Sequence, residues 1–136
     1  MRWLEAGDLL DAGTAAAAWD KVTFEGRNKT TRAGEAVWRV RRTAKIYGLA
    51  LWWLAELVDG VELSTGPLAP RTHWEQLYLP VLSPIAMEAG HTLAARLRST
   101  TSHDKGTNVT WTLTLNDGSG RELARQALDL EKGYLP

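Results

Sequence analysis

The chain has 136 residues, 44% hydrophobic and 24% charged, which suits one ordinary globular domain and falls short of a multidomain enzyme. Sixteen Lys and Arg balance sixteen Asp and Glu, so no net field draws in a polyanion and nucleic acid is not an expected partner. The absence of cysteine excludes disulfides, thiolate metal sites and cysteine nucleophiles, and three histidines leave little material for a metal cluster.

Glu5, Asp8 and Asp11 interrupt the first twenty residues, which have neither a basic start nor a continuous apolar run. No secretory signal is expected, and a cytoplasmic location follows by default. Residues 1–19 form a separate helical or irregular segment. Within it Ala15 to Trp19 reads as a short helix or a linker, with Asp11 or Thr14 as a possible N-cap. The domain proper is expected over 20–136.

Val37 to Tyr47 places Trp38 and Val40 on one parity and Arg39 and Arg41 on the other, the pattern of a half-exposed strand whose arginines form a solvated face. Gly48 breaks that pattern. From Leu49 to Val58 both parities are apolar, which predicts a strand buried on both faces, covered in so small a chain by another subunit or domain through Trp52 and Trp53. That run holds about ten residues and includes Glu56, whereas a membrane-crossing helix needs ~20, so no membrane is expected. Asp59-Gly60 is turn material leading into Val61 to Leu63.

Farther on, Leu93, Ala95 and Leu97 alternate with Thr92, Arg96 and Arg98. Ser102 to Gly106 then forms a turn, and Val109, Trp111, Leu113 and Leu115 alternate with Asn108, Thr110, Thr112 and Thr114. A β-hairpin with one buried face is the economical reading. Asn116 to Gly120 supplies a further turn, and Arg121 to Leu130 fits a third strand or a helical stripe about equally. The count is seven or eight short strands in all. The fold class expected is all-β, an antiparallel β-barrel or barrel-like sandwich with a short N-terminal helical or irregular segment.

Motifs for chemistry are sparse. No Gly-x-Gly-x-x-Gly follows a strand, no phosphate-cradling loop ends in Gly-Lys-Ser/Thr, no Gly-x-Ser-x-Gly elbow exists, and no two histidines are spaced for one helical face. Nucleotide-type cofactors have no home, and no metal site is expected. One segment stands apart: Leu63-Ser-Thr-Gly-Pro-Leu-Ala-Pro-Arg-Thr-His-Trp-Glu-Gln76. Its two prolines and glycine stiffen a loop that presents His73 and Trp74 just before the next strand. Histidine titrates near neutrality, and an indole face stacks on a flat cation for ~0.5 to 2 kcal/mol. The pair suits a cationic ligand; equally, Trp74 could be a core residue and His73 a hydrogen-bonded loop residue. Glu56, Asp59, Glu62 and Glu75, near the loop in sequence, offer complementary charge or simply a solvated surface. His91 and His103 read as surface residues.

The same segment, from Leu63-Ser-Thr-Gly-Pro through Thr72-His73-Trp74-Glu-Gln76, resembles the Thr-His-Trp loop in the C-terminal β-barrel of the protein arginine methyltransferases. The similarity extends from the Gly48-Leu-Ala-Leu-Trp-Trp strand through a turn at Pro84 to Gly90 and on to the Thr107 to Leu115 strand. The resemblance implies an arginine methyltransferase-like barrel over 20–136, in which Thr72, His73 and Trp74 help form an arginine pocket. His73 would there act catalytically only in complex, paired with a carboxylate of a cofactor domain. That S-adenosylmethionine-binding domain, with its two glutamates, has no counterpart here. The chain is therefore expected to bind no cofactor itself, to meet S-adenosylmethionine only through a partner domain or subunit, and to be inert alone. Arginine-containing proteins or peptides are the implied substrates. A homodimer stays open, since the family's helical dimerisation arm is not recognisable unless residues 1–19 are its remnant. The alternative is a stand-alone module that holds cationic peptides or small molecules without transforming them.

Overall fold

The computed structural model describes residues 3–135, and over them the regular secondary structure is β, apart from two short 3-10 turns at Ala6–Asp8 and Leu10–Gly13. The strands are β1 (Thr31–Arg39), β2 (Ala44–Leu51), β3 (Leu54–Val58), β4 (Val61–Ser64), β5 (Leu77–Met87), β6 (Thr92–Ser102), β7 (Gly106–Asn116), β8 (Glu122–Asp129) and β9 (Gly133–Leu135). They divide into a five-stranded sheet in the order β1-β6-β7-β8-β9 and two pairs, β2-β5 and β3-β4, whose hydrogen bonding does not close into a ring. The all-β expectation is borne out in this open form. No helix among the described residues is long and apolar enough to cross a membrane.

Two compact units are defined by their internal contacts. The larger holds residues 17–45 and 85–136. Its antiparallel register explains its core. Ala36, Ala95 and Leu113 share one cross-strand row, and Gly34, Leu97, Trp111 and Leu128 share another. Alternation puts every second residue of β6 and β7 on the buried face, so Leu93, Ala95, Leu97, Trp111, Leu113 and Leu115 are all buried. The opposite face carries Glu35, Arg96 and Thr112 in register, with Arg96 Nε 3.3 Å from the Glu35 carboxylate. At Gly34 a Cβ would fall 1.7 Å from the Trp19 carbonyl oxygen, so only glycine lets the incoming chain cross the sheet there. Arg32 grips Asp20 through Nε at 2.5 Å and Nη2 at 2.8 Å, fixing that incoming segment and holding the Asp20 carboxyl below its ordinary pKa.

The predicted β6–β7 hairpin and its turn are borne out, and the segment after Gly120 resolves as strand β8. Asp117 commits the β7–β8 turn: it accepts from the Ser119 hydroxyl at 2.6 Å and from the Ser119 and Arg121 N–H groups at 2.9 and 3.0 Å. Residues 15–19, expected as a short helix or a linker, form no helix and are a turn and irregular chain. Four expectations are corrected. Val37 to Tyr47 is not one strand, because β1 ends at Arg39 and Val40 turns to exchange backbone hydrogen bonds with Gly90 and His91 at 2.9 Å each. Gly48 lies inside β2. A Cβ there would meet the Leu79 carbonyl oxygen at 2.5 Å and the Tyr78 ring at 2.7 Å, so the glycine admits a close neighbour. Pro84 to Met87 continues β5, and the turn is confined to 88–90. Leu49 to Val58 is not a strand buried on both faces either.

The smaller unit, residues 1–16 and 46–84, contains that last segment. β2 stops at Leu51, Trp52 and Trp53 lie between strands, and β3 turns through Asp59-Gly60 into β4 as a hairpin. Leu57, Val58 and Val61 are half or more exposed, since a two-stranded ribbon has one neighbour and cannot cover its own apolar side chains. The buried residues among those described here are Leu4, Leu79 and Val81, the polar Thr65 and Gln76, and the glycines Gly13 and Gly66.

Candidate functional site

Residues 65–76 join β4 to β5, and the loop is tied at its neck. Gln76 and Thr65, each 3% exposed, stand at its two ends, and the Gln76 side-chain N–H donates to the Thr65 carbonyl at 2.6 Å. Thr65 is pinned in turn to Trp53: its hydroxyl accepts from the Trp53 N–H at 3.2 Å, and its own N–H donates to the Trp53 carbonyl at 3.0 Å. The Trp52 indole lies against Gly66, where a Cβ would come within 2.6 Å of Nε1. The Gly66 carbonyl accepts from the Ala69 N–H at 3.1 Å, and Pro67 and Pro70 fix φ at two further positions. Little of this loop remains to be ordered by a ligand.

The tip carries the rings. The Thr72 hydroxyl accepts from the Trp74 N–H at 3.2 Å, a local turn that sets the backbone of the Thr72-His73-Trp74 run. The His73 and Trp74 ring centroids are 3.9 Å apart at 36°, and Trp53 meets Trp74 edge-on at 5.4 Å and 63°. Trp53 and Trp74 are both 43% exposed and His73 is exposed, so this is a three-ring surface and not a core cluster. Such a pair of aromatic contacts is worth ~0.5 to 1.5 kcal/mol each, enough to hold one arrangement. An indole attracts a cation through the negative face of its ring quadrupole. Beside the tip the Arg71 guanidinium sits 4.4 Å above the Trp3 ring, a guanidinium–indole contact within the chain itself.

The structure places Thr72, His73 and Trp74 at the exposed tip of the loop, and it separates Trp52 from Trp53. Trp52 is half-buried beneath the loop, whereas Trp53 joins the ring cluster. Glu56 and Glu62 face each other across the β3–β4 hairpin with Asp59 at its tip, all exposed, and Glu75 follows Trp74. His91 accepts from the Glu88 N–H at 3.1 Å as a turn residue, and His103 is an exposed neighbour of Asp104 at 3.4 Å. Among the described residues no group of three or more His, Asp or Glu could hold a metal ion. Sequence reasoning missed three participants: Trp53 as a ring of the site, and Thr65 and Gln76 as its fastening. The first was accessible, because a hairpin centred on Asp59-Gly60 returns the chain so that residue 65 pairs beside residue 53.

No protein-family model matches the chain. It is similar to an arginine N(omega)-methyltransferase of Streptomyces achromogenes subsp. streptozoticus, 35% identical over 78 residues, which is 56% of this chain and 22% of that protein. It is also similar to the histone-arginine methyltransferase CARMER of Drosophila ananassae, 38% identical over 61 residues, 43% of this chain and 12% of that one. The Drosophila yakuba CARMER is 37% identical over 62 residues, with the same shares. Over about half its length, then, the chain resembles arginine methyltransferases. The chain spans about a fifth of the bacterial relative and about an eighth of the insect ones.

Proposed function

We propose that this chain is the acceptor-side part of an arginine methyltransferase-like assembly, in which Thr72, His73 and Trp74 form one wall of a pocket for an arginine side chain of a protein or peptide. The single observation that carries the reading is the exposed Trp74 indole packed against both His73 and Trp53 on a loop fastened at both ends. A guanidinium is flat and weakly hydrated and stacks on an indole more readily than an ammonium does. Trp53 extends the wall. His73 is placed to orient a polar group at the pocket mouth once a partner supplies a carboxylate.

The residues present do not frame S-adenosylmethionine. Among the described residues there is no α-helix, so no strand, glycine-rich turn and helix N-terminus come together as such a site requires. The donor is assigned to a separate domain or subunit, and methyl transfer needs it, since alignment of donor and acceptor is worth ~7 to 11 kcal/mol. The apolar side chains of Leu57, Val58 and Val61, exposed on the β3–β4 hairpin, and the neighbouring Trp52 and Trp53 support a role in contacting such a partner. The rings and their fastening come from this chain alone, which favours retention of cation binding without a partner.

Calorimetric titration of an arginine-rich peptide into the isolated chain tests the reading. Binding is expected, and Trp74→Ala is expected to weaken it about tenfold, the loss of roughly 1.4 kcal/mol of cation–π contact. Equal affinity of the wild type and Trp74→Ala would remove the pocket assignment.

A further inference from the structure

The loop is fastened to more than its own strands. Leu4 is buried at 8% exposure, and its backbone N–H donates to the Gln76 side-chain oxygen at 2.9 Å across 72 residues of sequence. One amide thus bridges the N-terminal segment to the Thr65 carbonyl, and through Thr65 to Trp53. Two more contacts join the same segment to the loop. Trp3 lies under the Arg71 guanidinium, and a Cβ on buried Gly13 would meet the Leu68 side chain at 3.1 Å. Between them Asp11, Ala12 and Gly13 hold φ of 51°, 51° and 80°, a left-handed run that two non-glycine residues adopt only when the surroundings impose it. Trp3 and Leu4 of this segment and Thr65, Arg71, Thr72 and Gln76 of the loop together line a cavity of about 180 Å³.

We infer that residues 3–13 are a strap belonging to the ring site and that Gln76 is its positioning residue, setting the attitude of His73-Trp74 by joining the strap to Thr65. Gln76 is suited to this because an amide donates and accepts at once. Glutamate loses the donor to the Thr65 carbonyl, and methionine loses both bonds while keeping the volume. This inference rests on the arginine-pocket reading for its effect on binding, though not for its geometry.

The test uses the full chain labelled with 5-fluorotryptophan, its fluorine resonances assigned by single Trp→Phe substitutions. Gln76→Met and Gln76→Glu are expected to shift the Trp3, Trp53 and Trp74 resonances together, leave Trp111 in place, and weaken the arginine-rich peptide about tenfold. Val81→Ala, a β5 core truncation, serves as a control that lowers stability while leaving peptide affinity within twofold. If Gln76→Met leaves the Trp3 and Trp74 resonances unmoved, the strap is overturned whatever the peptide does. If those resonances move but the wild type binds no peptide, the arginine-pocket reading fails and the strap stands. If they move and affinity is unchanged, Gln76 does not position the site.

Discussion

Trp74 gains from a guanidinium on its face only to the extent that the ring is already in place, because ordering a free side chain would consume ~0.5 to 1.5 kcal/mol of the contact. Its placement is collective: the Thr72 hydroxyl on its backbone, and the His73 and Trp53 rings against its own. Trp53→Ala is therefore expected to weaken an arginine-rich peptide about threefold to tenfold without removing any group of the Thr-His-Trp run, as read by titration. Gly48 shows the opposite constraint, a residue that must be absent to the side. With the Leu79 carbonyl and the Tyr78 ring where a Cβ would stand, Gly48→Ala is expected to cost about 1 to 3 kcal/mol or more, seen as a lowered urea midpoint. Thr72, His73 and Trp74 were legible in the sequence because adjacent residues need no folding to be neighbours. Gln76 and Leu4 were not, because a bond across 72 residues leaves no trace in local spacing.

At the scale of elements, strict alternation on β6 and β7 made a one-faced hairpin readable, and the register turns it into rows of Ala36, Ala95 and Leu113 or of Leu97, Trp111 and Leu128. Leu113→Ala, at a fully buried row centre, is expected to lose about 2 to 5 kcal/mol in chemical denaturation. The β7–β8 turn adds a dependence on acidity. Hydrogen bonding, first from the Ser119 hydroxyl and then from two backbone N–H groups, with the Arg121 charge, lowers the Asp117 carboxyl from 3.8 to about 2. The depressed value means that the unfolded chain takes up its proton first. The contribution is present above pH ~4 and disappears as pH falls towards 2. Asp117→Asn is expected to flatten that part of the stability profile, measured by denaturant unfolding at stepped pH. The run from Leu49 to Val58 misled for a physical reason. Apolar residues on both parities record what must be covered, and they are silent about whether the same chain covers it; here β3 and β4 pair only with each other and leave Leu57, Val58 and Val61 exposed. Gly48 misled likewise, since glycine marks either a break or a close approach and only the neighbouring strand distinguishes them.

For the whole molecule, similarity to the arginine methyltransferases over about half of the chain motivates the proposal that another domain or subunit supplies the methyl donor. Equilibrium dialysis of the isolated chain is expected to show no retention of S-adenosylmethionine. The three rings and the fastening of their loop all belong to this chain, and cation binding there is the claim on which the functional account rests. The most direct measurement is the indole N–H region of a nitrogen-labelled protein during addition of an arginine-rich peptide, with a lysine-rich peptide of equal charge as comparison. The account predicts saturable shifts of the Trp53 and Trp74 indole signals, larger for arginine than for lysine, while Trp111 stays fixed. Shifts that spare Trp53 and Trp74, or that are the same for both peptides, would contradict it.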